Sequence, residues 1–109
     1  MTISRHKLFR MVCSGTTFEL TTPEKTVQAN WVDIVRLTAY KADDFTIDTL
    51  CVEITLSSGQ VVTIDEDIEG FDAFLEGVRQ HLDCNPNSWM PSVLYPAFTE
   101  NRTVIFSVR

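Results

Sequence analysis

The run Asp65-Glu66-Asp67-Ile68-Glu69-Gly70, with Glu76 beyond it, is the stretch whose residue types come nearest to a known chemistry. It puts acids at positions one, three, five and twelve of a calcium loop and glycine at position six, the spacing with which a chain wraps a hard cation in oxygens. Asp65, Asp67, Glu69 and Glu76 are the weak candidate ligands. Position five is Glu where Asp or Asn is usual, position eight is Asp72 where an apolar residue is usual, and a strand precedes the loop where a helix is required. An apolar stripe also runs through the same residues, so a helix is expected to form in place of an open loop, and no metal or cofactor is expected.

Asp43, Asp44 and Asp48 are a second carboxylate set. Paired carboxylates perform acid and base chemistry when their environments push their pKa values apart, which would suit a hydrolase. A polar bend solvates them instead, so no catalytic residue is assigned. The three cysteines, Cys13, Cys51 and Cys84, are odd in number and lack metal-ligand spacing, which points to a reducing cytoplasm and to small structural residues. A cysteine nucleophile needs a base, and nothing in the spacing of His6 and His81 places either beside a cysteine.

Net charge is −6 and unevenly spread: residues 43 to 83 hold eleven acidic side chains and one basic one. Clustered lysine and arginine bind phosphate backbones and anionic lipid, and here they are few and scattered, so neither nucleic acid nor a membrane surface is an expected partner. A basic protein is the expected partner, met by an acidic face that includes Asp43, Asp44, Asp48, Glu69, Asp72 and Glu76. An immunity-type protein that neutralises a basic toxin such as a nuclease is one specific form. The same acids would serve differently in a calcium-binding protein or a carboxylate hydrolase.

The elements that must position these groups follow from periodicity. Phe9, Met11 and Cys13 alternate in a first strand, Ser14-Gly15-Thr16 turns, and Phe18 and Leu20 continue in a second. Trp31 and Ile34 break the alternation of Val35, Leu37 and Ala39, which predicts a turn or bulge near Asp33. Leu50, Val52, Ile54 and Leu56 form the clearest strand, with Cys51, Glu53, Thr55 and Ser57 on its other face. A three-residue loop is expected to set Leu56 opposite Val62 and Ile54 opposite Ile64. Ile68, Phe71, Leu75, Val78 and Leu82 recur on one helical face, and the acidic knot Asp65-Glu66-Asp67 is expected to cap that helix. Glu69, Asp72, Glu76 and Asp83 lie on one flank and Phe74 on the other. Pro91 and Pro96 limit the next segment to about one helical turn. Val104, Phe106 and Val108 then share a face in a closing strand.

Trp31, Ile34, Ala39-Tyr40-Lys41, Asp48, Glu66, Gly70-Phe71, Trp89, Pro96-Ala97-Phe98 and Asn101 together resemble a group of small bacterial single-domain proteins with no assigned activity and a strand content like that of pleckstrin-homology barrels. The resemblance implies a bacterial cytoplasmic origin and a PH-like partial barrel, and it carries no catalytic residue. The closing strand after the helix departs from such barrels. The expectation is a single α+β domain over residues 1 to 109. A curved antiparallel sheet of about six strands would carry one main amphipathic helix and end in a C-terminal strand. The most direct function is a non-catalytic protein-binding module with an acidic face, and an uncapped edge strand could also pair with its own copy.

Overall fold

The computed structural model describes residues 9–43, 48–82, 84, 86–94 and 102–108. The chain is α+β, with two antiparallel sheets where the sequence suggested one. β1 (Arg10–Ser14), β2 (Thr17–Thr21) and β3 (Thr26–Asn30) form a three-stranded meander in that order. β4 (Ile34–Asp43), β5 (Asp48–Leu56), β6 (Val61–Asp65) and β7 (Thr103–Ser107) form the second sheet in the order β6-β5-β4-β7. β3 is the strand that periodicity missed, because Thr26–Asn30 carries only two apolar residues, buried Val27 and half-buried Ala29.

The expected break near Asp33 is a single 3-10 turn, Trp31–Asp33, followed by a bulge between Ile34 and Arg36. The turn is held at three points. The Asn30 amide donates to Asp33 Oδ2 at 3.2 Å, the Trp31 amide to the Thr16 carbonyl at 3.0 Å, and the Ser57 amide to the Asp33 carbonyl at 2.8 Å. It thereby ties the β1–β2 turn and the β5–β6 loop to the segment between the sheets, where the Trp31 indole is buried to 2% exposure.

In the β5–β6 hairpin the loop is Ser57-Ser58-Gly59, closed by the Leu56 amide on the Gln60 carbonyl. The register is two residues away from expectation: Ile54 faces Val62 and Val52 faces Ile64. A shift of two preserves which face each side chain takes, so Val52, Ile54 and Ile64 are all buried as expected. The opposite face is covered in part as well, with Thr38 and Cys51 both buried.

α1 spans Phe71–Leu82, one turn shorter than the apolar stripe implied. Ile68 is buried, but in the turn before the helix, and Gly70 follows it with φ +92°. A left-handed residue cannot continue a right-handed helix, so the helix starts after it. The acidic knot therefore does not cap α1. Asp65 Oδ1 accepts the Asp67 amide at 2.9 Å, an Asx turn that leads out of β6. The buried stripe of α1 is Phe71, Phe74, Gly77 and Val78, rotated toward Phe74, with Leu75 and Leu82 half-buried at its edge. Complete burial of Phe74 and Val78 contributes about 1.5–3 kcal/mol each. The helix packs mainly on β1 and the Trp31 turn.

The two sheets meet again at Gly70. The Met11 amide donates to the Glu69 carbonyl at 2.7 Å, and Arg10 bridges Glu69 in parallel sense, so the edge of β1 is pinned to the segment leaving β6. Together with the Trp31 turn, this joins the two sheets at two places. One hydrophobic cluster takes side chains from both sheets and both helices.

α2 spans Pro86–Leu94, longer than the single turn expected, and includes Pro91. Pro86 occupies its first position, where a missing amide costs nothing, and Trp89 and Val93 are buried on the side that packs on β4. In β7 a bulge between the Leu37–Phe106 and Thr38–Val104 pairs breaks the expected alternation. Val104 and Phe106 therefore lie on opposite faces, and Val104 is exposed.

Candidate functional site

Among the described residues, the acidic side chains singled out by sequence do not converge on one point. Glu69 is exposed and bridges Arg10 at 3.2 Å. Asp72 is exposed on the first turn of α1. Glu76, one turn on, receives the Arg79 guanidinium through both oxygens, with Nε to Oε1 at 3.2 Å, and the Gln80 amide at 3.2 Å. The hydrogen bond from Arg79 holds the Glu76 carboxyl below the usual glutamate range, and the same bond raises Arg79. Asp43 and Asp48 are cross-strand partners at the end of the β4–β5 pair. Their side chains, and all of Asp44 and Asp83, lie outside the described residues.

The calcium spacing is not realised. Asp65 ends β6, Glu76 sits in the middle of α1, and among the described residues no three His, Cys, Asp or Glu side chains gather to hold a metal ion. Glu66 serves the fold: its Oε1 accepts the Leu50 amide at 2.7 Å while its own amide donates to the Leu50 carbonyl at 2.9 Å. That reciprocal latch ties the end of β6 to β5.

Among the described residues the fold builds a cleft of about 200 Å³ between the β1–β2 turn and one side of α1. Cys13, Ser14 and Gly15 form one wall and the Trp31 indole the base. The helix supplies small residues, Ala73 and Gly77, and polar ones, Glu76, Gln80 and His81. Trp31 is held in place by aromatic neighbours: Phe18 at 5.0 Å, Phe74 stacked at 5.5 Å, and His81 stacked at 5.2 Å within 9° of parallel. Gly77 is what admits the indole, since a Cβ there would overlap the Trp31 ring.

This cleft brings Cys13 and His81 to one place, which sequence spacing did not suggest. A signal was present in Gly77: a glycine inside a helix costs about 1 kcal/mol relative to alanine and calls for a large neighbour. Burial pushes the Cys13 thiol up, so the site does not favour a thiolate nucleophile. What remains is a small opening with carboxylate, amide, hydroxyl and imidazole groups around an aromatic base. No helix among the described residues is long and apolar enough to cross a membrane. Compared with protein-family models, curated proteins and solved structures, the chain matches none.

Proposed function

We propose that this chain is a non-catalytic protein-binding module of a reducing cytoplasm, whose acidic face receives a basic protein. The observation that carries the proposal is the stretch from Asp65 to Glu76, which holds six carboxylates and no basic residue. Glu66, Asp67, Glu69, Asp72 and Glu76 are exposed along the turn and the helix that follows it. Among the described residues the counter-charges on this surface are Arg10 and Arg79, both in exposed, solvent-screened pairs that exchange readily for a partner's cations. Such a field raises the rate of association with a cationic surface and weakens with salt, since screening acts over about 8 Å at physiological ionic strength. Cys13, Cys51 and Cys84 are all thiols, which fits a reducing compartment.

The test is capture from the native host at low salt with the wild-type chain and with the triple variant Asp67→Asn, Asp72→Asn, Glu76→Gln. The wild type should retain a basic protein that high salt releases, and the triple variant should not. Equal retention by both chains would remove the acidic face from the account. Recovery of a cationic nuclease would identify the immunity-type form.

A further inference from the structure

We infer that the cleft over Trp31 is the seat for one arginine side chain of the basic partner. The inference rests on the acidic-face proposal and adds to it the group that is recognised. Its first support is size. Small-molecule and cofactor sites usually occupy about 300–1,000 Å³, and this cleft, at about 200 Å³, is below that range and suited to a single inserted side chain. The second is charge. Glu76 stands at the cleft and Asp72 one turn before it, on a flank that carries no base until Arg79.

The third support is the shape of the groups presented. A guanidinium is planar, donates in a fixed fork to a carboxylate, and stacks on aromatic rings, whereas an ammonium meets a carboxylate only as a point charge. The cleft offers the Glu76 carboxylate, the Gln80 amide and the exposed imidazole of His81, whose inner face lies parallel on the buried Trp31 indole and whose outer face is open to a guanidinium. Arg79 already makes the forked bond to Glu76 from within the same helix. Its pair is half-exposed on both sides, so an incoming arginine can take its place. Arg79 is thus an internal competitor for the carboxylate.

A nona-arginine peptide is the probe, titrated calorimetrically at low salt, with nona-lysine beside it and alkylation of Cys13 by iodoacetamide as a local reporter. Cys13 is half-buried on the cleft wall, while Cys51 and Cys84 are buried, so the reporter is specific to the cleft. Nona-arginine should bind about tenfold tighter than nona-lysine and slow Cys13 alkylation several-fold. Ala73→Met, an exposed helix position at which a longer side chain fills the cleft at constant charge, should lower affinity about tenfold and abolish Cys13 protection. Asp67→Asn, a charge loss away from the cleft, should cost no more than about twofold. Arg79→Gln should raise affinity about threefold by freeing Glu76.

If nona-arginine binds but Cys13 stays equally reactive and Ala73→Met binds as tightly as wild type, the cleft inference is overturned and the acidic face stands. Equal affinity for the two peptides overturns the choice of arginine. If wild type binds neither peptide at low salt, the acidic-face proposal falls and the cleft inference falls with it. Should Ala73→Met fail to fold, protection of Cys13 in the wild type decides the question alone.

Discussion

At the scale of single residues, two glycines carry more of the structure than any charged side chain. Gly70 has φ +92°, and a Cβ there would overlap the Met11 carbonyl, so Gly70→Ala meets backbone strain and a backbone collision at the seam between the sheets. Urea unfolding should show a loss of about 2–4 kcal/mol. Gly15 is the control: it is also left-handed, at φ +53°, but nothing lies near its missing Cβ, so Gly15→Ala should cost only about 1 kcal/mol. Gly77→Ala sets a gain of about 1 kcal/mol in helix propensity against about 1–3 kcal/mol for overpacking onto Trp31. Trp31 is hemmed in by Phe18 and Phe74 and cannot retreat, so the variant should be less stable, with a shifted tryptophan emission. Burial raises Cys13 above its ordinary 9.0, and burial followed by the nearby Cys51 raises Tyr40 above 10.0. A raised folded-state pKa keeps the proton on the native chain after the unfolded chain has lost it. The contribution of these two groups is therefore complete below about pH 9 and should be lost as pH rises above the ordinary value of Cys13 and then above that of Tyr40. Urea midpoints measured at pH 8 and pH 10.5 check this, and Cys13→Ser should remove the earlier part of the decline.

At the scale of elements, the acidic knot between β6 and α1, with Glu69 just beyond it, proves to be three separate devices. Asp65 closes an Asx turn, Glu66 latches β5, and Glu69 offers its carbonyl to β1. Only the second accepts a partly buried amide through a side chain. Glu66→Ala leaves the Leu50 amide without that acceptor and should cost about 1–3 kcal/mol, while Glu66→Gln, which keeps an oxygen in place, should recover most of it. Thermal melts of the pair separate a latch from a simple surface charge. The knot was legible as acidic and as the boundary between strand and helix. Its division of labour was not, because two of the three partners, Leu50 and Met11, are distant in sequence. Likewise α1 was visible from its stripe, yet its start was set by Gly70 and its rotation by the Trp31 indole.

At the scale of the whole molecule, one core joins both sheets, with Phe18 and Leu20 from the first and Leu37, Val52 and Ile54 from the second in a single cluster. Among the described residues neither sheet has a second buried cluster on which to fold alone. Tryptophan emission, which reports Trp31 between the sheets and Trp89 on α2, should change at the same urea concentration as far-ultraviolet circular dichroism. Two separated transitions would mean that the sheets unfold independently. The cleft belongs to the same arrangement, since the β1–β2 turn forms one of its walls and α1 the other.

The sequence by itself determined the elements whose signal is local: alternation in β1, β2 and β5, the helical repeat of α1, the turn near Asp33, and the concentration of acid between Asp43 and Asp83. Each depends on residues within a few positions of one another, where sterics and burial impose a period. Only the tertiary structure decided that the strands divide into two sheets, that β5 and β6 pair two residues from the expected register, and that Cys13, Trp31, Glu76 and His81 border one opening. Those outcomes depend on which distant surfaces exclude water together, and a difference of two residues along a strand, or of one turn along a helix, leaves the local pattern of apolar and polar side chains unchanged.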